Sequence, residues 1–143
     1  MSGHVAQVFT DDVDWARTLA DLHRAVVPGG VLAFESRNPA AAGWQRWTRA
    51  DTLRTVPTEL GPIEVWHGTT TVDLPLVTYA TVDRNLGTGQ EHRTSDTLAF
   101  RDETEIVTTL RAAGFAIEAI CGDWDPAPVR SDSPELIVIG RRG

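Results

Sequence analysis

Residues 26–39 read VVPGGVLAFESRNP, and how this stretch is read decides the fold. Pro28-Gly29-Gly30 stops a helix and turns the chain. Val31–Phe34 then runs apolar without polar alternation, the pattern of a strand covered on both faces, as in a parallel α/β sheet. The run ends abruptly in Glu35-Ser36-Arg37-Asn38-Pro39. A buried strand that ends in charges delivers polar side chains to a crevice, and in doubly wound sheets ligands sit outside the carboxyl ends of the strands.

Upstream, Thr10-Asp11-Asp12 offers capping oxygens and acidic charge for a helix start. Trp15, Leu19, Leu22 and Val26 recur at spacings of four, three and four, which makes one helical face with Trp15 in the core. Downstream, from about Leu53 to Phe100, the character changes. IEVWHGTTTV, LVTYATV and RTSDTLAF are rich in β-branched and aromatic residues and are separated by turn formers. This pattern predicts three or four short antiparallel strands, with Gly87-Thr88-Gly89 as a hairpin turn rather than a cofactor loop. Asp102 and Glu105 form a capping box for a helix carrying Ile106, Leu110 and Ala113 on one face and ending at Gly114. Phe115–Cys121 and Leu136–Ile139 read as two closing strands, joined by the polar, Pro-rich loop GDWDPAPVRSDSP.

The chain has 143 residues, one domain's worth, and its hydrophobic content of 41% with five Trp is enough to bury a core. The expected organisation is a single domain over residues 1–143 with an antiparallel, substrate-side insertion at 52–100. A net charge of −7 argues against nucleic acid and anionic membranes as partners, because phosphate contact needs a basic face. All 13 basic residues are Arg, which reads as compositional bias. Cys121 is alone, so no intramolecular disulfide or Cys-based zinc cluster is expected, and in an apolar strand it reads as an inert thiol. His4, His23, His67 and His92 show no metal-ligand spacing, and Ser36 lacks a nucleophile-elbow setting. With no leader pattern at MSGHVAQVFTDD and no long apolar run, the expected location is cytoplasmic.

The order helix, buried strand, antiparallel meander, helix, strand, loop, strand is half of a doubly wound α/β domain. It resembles the C-terminal half of the class I S-adenosylmethionine-dependent methyltransferases. SGHVAQVF with DWARTLADLHRAVVPGGVLAFESRNP looks like the segment after the fourth strand, the next helix and the fifth strand. DTLAFRDETEIVTTLRAAGFAIEAICGDWD with SPELIVIGRR looks like the last helix and the antiparallel final strand pair. The implied fold class is α/β, a partial Rossmann-like methyltransferase sheet (C-terminal half) with an antiparallel β-meander insertion. The family's glycine-rich loop and the acid that holds the cofactor ribose have no counterpart in these residues. S-adenosylmethionine is therefore expected as cofactor only if an N-terminal half is supplied, and the strand at 31–35 is expected to expose an edge that self-associates.

On this resemblance His4, with Gly3 before it, sits where the fourth strand opens into the active site. It is expected to orient or deprotonate the acceptor, as an imidazole suits. Gly3 and Gln7 are candidate cofactor contacts. Glu35 and Arg37, at the end of the buried strand, are candidate substrate contacts, with mutual pairing as the alternative. Trp44, Trp47, Trp66 and His67 would roof the pocket of a flat or apolar acceptor, core packing being the alternative for each Trp. Trp124 reads as a lid residue or a surface staple. The expected function is methyl transfer to a small molecule, with direct attack of an O, N or C nucleophile on the sulfonium methyl group. The alternative is a non-catalytic half-domain used for homodimerisation or for binding a ligand or partner.

Overall fold

The computed structural model describes all 143 residues, Met1–Gly143. In chain order the elements are α1 (Asp12–Ala25), β1 (Val31–Arg37), α2 (Arg49–Thr52), β2 (Arg54–Val56), β3 (Ile63–Asp73), β4 (Leu76–Asn85), β5 (Glu91–Ala99), α3 (Glu103–Ala112), β6 (Phe115–Cys121) and β7 (Glu135–Arg142). Single 3-10 turns lie at Val5–Val8, Pro39–Ala41 and Gly43–Arg46. The chain divides into two compact units, Met1–Ala42 with Leu98–Gly143, and Gly43–Thr97.

In the first unit, Asp11 starts α1 by accepting hydrogen bonds from the N–H groups of Val13 and Asp14. Trp15 and Leu19 are buried on its inner face, Leu22 packs partly against the core, and Val26 already lies past the helix end as its cap. Gly29 takes the left-handed conformation (φ 75°) that the Pro-Gly-Gly turn demands. α3 begins at Asp102, which accepts from the Glu105 N–H, while the Glu105 carboxylate turns to Arg101 instead of closing a capping box.

The sheet of this unit has three strands in the order β1-β7-β6. β7 runs antiparallel to both neighbours, with Val31 opposite Arg141 and Arg37 opposite Glu135 on one side, and Phe115 opposite Arg142 on the other. β1 and β6 are therefore parallel to each other. Leu32, Phe34, Phe115, Leu136 and Val138 project from one face of the sheet into a core completed by Trp15, Leu19, Ile106 and Leu110. β1 is an edge strand of a partial sheet, as expected: it pairs with β7 alone, and its first residue, Val31, is 47% exposed. The buried part of the strand lies further along, where Phe34, Glu35 and Ser36 are all buried.

The second unit is a four-stranded antiparallel sheet in the order β2-β3-β4-β5. β3 and β4 form a long hairpin from Ile63 opposite Asn85 to Asp73 opposite Leu76, with an irregularity between Thr69 and Thr71. The Asn85 side chain accepts from the N–H groups of Gly87 and Thr88, and Gly89 is left-handed, so Gly87-Thr88-Gly89 is the expected hairpin turn. The buried side chains of this unit are Trp44, Val65, Val77, Ala80 and Val82. No helix of the chain is long and apolar enough to cross a membrane.

Candidate functional site

The polar residues of the first unit converge where β1 and β7 meet the chain's first residues. Strand alternation puts Ala33, Glu35 and Arg37 on the sheet face opposite to Phe34. Register places Glu135 directly across from Arg37 on that same face. Gly3 (φ 73°) and His4 (φ 57°) are both left-handed, and the 3-10 turn Val5–Val8 follows. For a non-glycine residue this conformation is unfavourable by about 1–2 kcal/mol, so the fold must hold His4 in it.

Two carboxylates hold it. The His4 backbone N–H donates to Glu35 Oε1 at 2.9 Å. The His4 ring Nε2 lies 2.9 and 3.0 Å from the two oxygens of Glu135. Glu35 is only 6% exposed. Burial is the largest influence on its carboxyl and opposes ionisation. The N–H groups of His4, Glu35 itself and Gly3, with the charge of His4, together outweigh it and hold the pKa below the ordinary value. The imidazole of His4 and the Glu135 carboxylate stay about a quarter open, with side-chain exposures of 26% and 22%.

An ionised carboxylate only accepts hydrogen bonds, so Nε2 carries the proton in the neutral ring and Nδ1 keeps its lone pair. That is the arrangement of a proton acceptor oriented by an acid. Beside it, Arg37 Nη1 donates to Gln7 Oε1 at 2.8 Å, and Gln7 Nε2 donates to the Ala99 carbonyl at 3.3 Å. Gln7 is wholly buried, so its amide ties Arg37 to the end of β5. Asn38 and Leu136, which follow Arg37 and Glu135 directly in the chain, line a cleft of about 350 Å³ with Pro39, Asp102, Thr104 and Arg130.

Gly3, His4, Gln7, Glu35 and Arg37 are thus gathered in one unit, though Glu35 and Arg37 bond to the first residues rather than to each other. Trp44, Trp47, Trp66 and His67 belong to the other. There the Trp47 ring meets Tyr79 edge-on at 5.0 Å, the His67 ring lies 5.9 Å from the same Tyr79, and His67 Nδ1 is 2.9 Å from Thr81 Oγ1. Trp66 is on the opposite sheet face from His67, with the Arg49 guanidinium 4.6 Å above its ring. Trp44 is buried, and its carbonyl accepts from Thr69 Oγ1. Trp124 is 62% exposed.

Sequence reasoning missed Glu135, because it lies one residue outside the apolar run LIVI and reaches Arg37 only through strand register. It also missed Arg101, which is 3% exposed beneath Trp15. Arg101 donates to the Phe9 carbonyl at 2.8 Å and to Asp12 at 2.9 Å. Its Nε lies 2.9 Å from Glu105 Oε1, close enough for an ion pair but without hydrogen-bond alignment. Burial, opposed by Arg101 and assisted by Asp12 and Asp102, raises the Glu105 pKa. The signal for this network was present as an Arg preceding the Asp102 helix cap.

No known sequence family and no curated protein matches the chain. Solved structures do match it by fold. An S-adenosylmethionine-dependent methyltransferase from Clostridium acetobutylicum superposes with a TM-score of 0.74 at 11% identity, over 99% of this chain and 56% of its own. The CcbJ methyltransferase from Streptomyces caelestis gives 0.76 at 15% identity, over 99% and 58%. CalS10, an amino pentose methyltransferase from Micromonospora echinaspora, gives 0.68 at 14%, over 98% and 55%. The chain has an α/β fold resembling a partial Rossmann-like methyltransferase core, and it spans a little over half the length of these structures.

Proposed function

We propose that this chain forms the acceptor-side part of an S-adenosylmethionine-dependent methyltransferase acting on a small molecule, and that His4 is its proton acceptor. The observation that carries this is the His4 imidazole, held on a left-handed turn with one ring nitrogen engaged by Glu135. An amine suits the site best as acceptor. It arrives as an ammonium ion, which the Glu35 and Glu135 carboxylates attract, and it must lose a proton to Nδ1 before it becomes a nucleophile. The amino pentose acceptor of one similar structure supports the same reading.

These residues do not by themselves fit the methyl donor. The Gln7 amide is buried and engaged at both ends, and the Gly3 N–H faces Glu35. The donor's anchors are therefore assigned to chain outside these 143 residues, and its chemistry when bound is to present an electrophilic methyl group. This chain's own part is to orient the acceptor, remove its proton and hold it beside the cleft. In any form of the protein that transfers methyl groups, His4→Ala should lower kcat by about a hundredfold or more while S-adenosylmethionine binding is unchanged. Unaltered kcat would sink the role. Micromolar binding of S-adenosylmethionine to Met1–Gly143 alone, read by calorimetry, would overturn the placement of the anchors.

A second reading, a half-domain that pairs with its own copy, draws on one feature. β1 ends the three-stranded sheet, and along its outer edge the Met1 amine reaches the Ala33 carbonyl. Sedimentation separates the two: a concentration-dependent dimer lost when proline replaces Ala33 favours pairing.

A further inference from the structure

We propose that Glu35 and Glu135 act as a matched pair of positioning residues for His4, one fixing its backbone and the other its ring; the catalytic sense of this rests on the function proposed above. The two acids come from neighbouring antiparallel strands. Glu35 lies opposite Ile137 and Glu135 opposite Arg37, so both project from one sheet face, offset by two positions. A side chain laid across that face meets both. His4 is so laid, with its N–H on Glu35 Oε1 and its Nε2 between the oxygens of Glu135.

A histidine has four soft torsions, two in the backbone and two in the side chain, and this arrangement restrains all of them. Glu35 secures the left-handed backbone that the Gly3-His4 turn needs. The two-oxygen contact with Glu135 fixes the ring's direction and places its proton on Nε2, which leaves Nδ1 as the single nitrogen open to a ligand. A turn required only for folding would be filled more cheaply by glycine, as at Gly3. Glu35 is buried, accepts from the His4 N–H with the Gly3 N–H also facing it, and keeps Oε2 without a hydrogen-bond partner. Committing a buried carboxylate to this turn fixes the His4 backbone, as proton transfer over a set distance requires.

The test reads His4 directly, by NMR of the 143-residue chain with labelled histidine at pH 8. In the native chain the ring should show its proton on Nε2 and a bare Nδ1, and the His4 amide should exchange slowly. Glu135→Leu should speed exchange of the Nε2 proton by about tenfold or more, and Glu135→Gln, which keeps an acceptor, should restore most of it. Glu35→Leu should speed exchange of the His4 amide by about tenfold, with Glu35→Gln again the rescue. The Leu110 amide, deep in the core, reports whether the variants remain folded. If the Leu variants do not fold, the native tautomer and the Gln variants decide alone. A proton on Nδ1 in the native chain, or exchange at His4 indifferent to all four substitutions, overturns the pairing. Neither readout needs turnover, so absent methyl transfer counts against the functional reading only.

Discussion

The two units treat polar atoms in opposite ways. In the α/β unit Gln7, Glu35, Ser36, Asn38 and Arg101 are all buried. Asn38 shows how this is made tolerable, donating to the carbonyls of Arg130 and Ser133 and accepting from the Ala40 N–H. In the β unit every buried side chain is apolar, and its polar contacts lie nearer the surface, as with Arg49 and Glu64 at 3.7 Å. Two atoms of the α/β unit's network, Glu35 Oε2 and Arg101 Nε, are buried without a hydrogen-bond partner. That network therefore stands under strain that an apolar core does not carry, and its remaining bonds restrict the geometry it can adopt. A sheet whose polar groups face water accepts substitution more readily.

That contrast can be broken most directly at Arg101. Arg101→Met should destabilise the fold by about 3 kcal/mol, since it strands Glu105 and the Phe9 carbonyl. Arg49→Met in the β unit should lie within about 1 kcal/mol of the parent, urea denaturation being the measurement for both.

Glu35 sharpens the contrast through pH. Its folded pKa is lowered from the ordinary 4.5, so the unfolded chain binds this proton more readily. Its stabilisation is complete above the unfolded value and is lost as pH falls through the folded one. Glu35→Gln should therefore be less stable than the parent at pH 7, with the difference shrinking as urea midpoints are followed toward acid pH.

Smaller effects follow in turn. Trp47 and Tyr79, a half-buried pair, should show a coupling of about 1 kcal/mol in a double-mutant cycle with leucine replacements. His4→Gly should leave stability unchanged or raise it by about 0.5 kcal/mol, because relief of the left-handed strain offsets loss of the Glu135 contact. A loss above about 2 kcal/mol in thermal melts would mean that His4 is there for folding.

Local signals were legible in the sequence. The Asp11 cap, the Trp15-Leu19 face, the Gly87-Thr88-Gly89 turn and the limits of β6 follow from short-range chemistry, which acts over a few residues. Glu35 and Arg37 were legible as polar residues at the end of an apolar run. Their partners were not, because Glu135 and Gln7 reach them only through strand register and a distant turn. That β1 lies at an edge followed from the partial-sheet reading, but an apolar run reports burial and not which residues of a neighbouring strand lie opposite.

β7 is the middle strand of its sheet, yet it follows every other element in the chain. β6 meets β7 locally, with Cys121 opposite Ile137, but Val31 must wait for Arg141 before β1 has a ladder. Closing so large a loop is entropically slow, so the hairpins of the β unit should form long before this sheet does. Until then β1 presents an unpaired backbone margin on which a second chain could template, so refolding yield should fall as protein concentration rises.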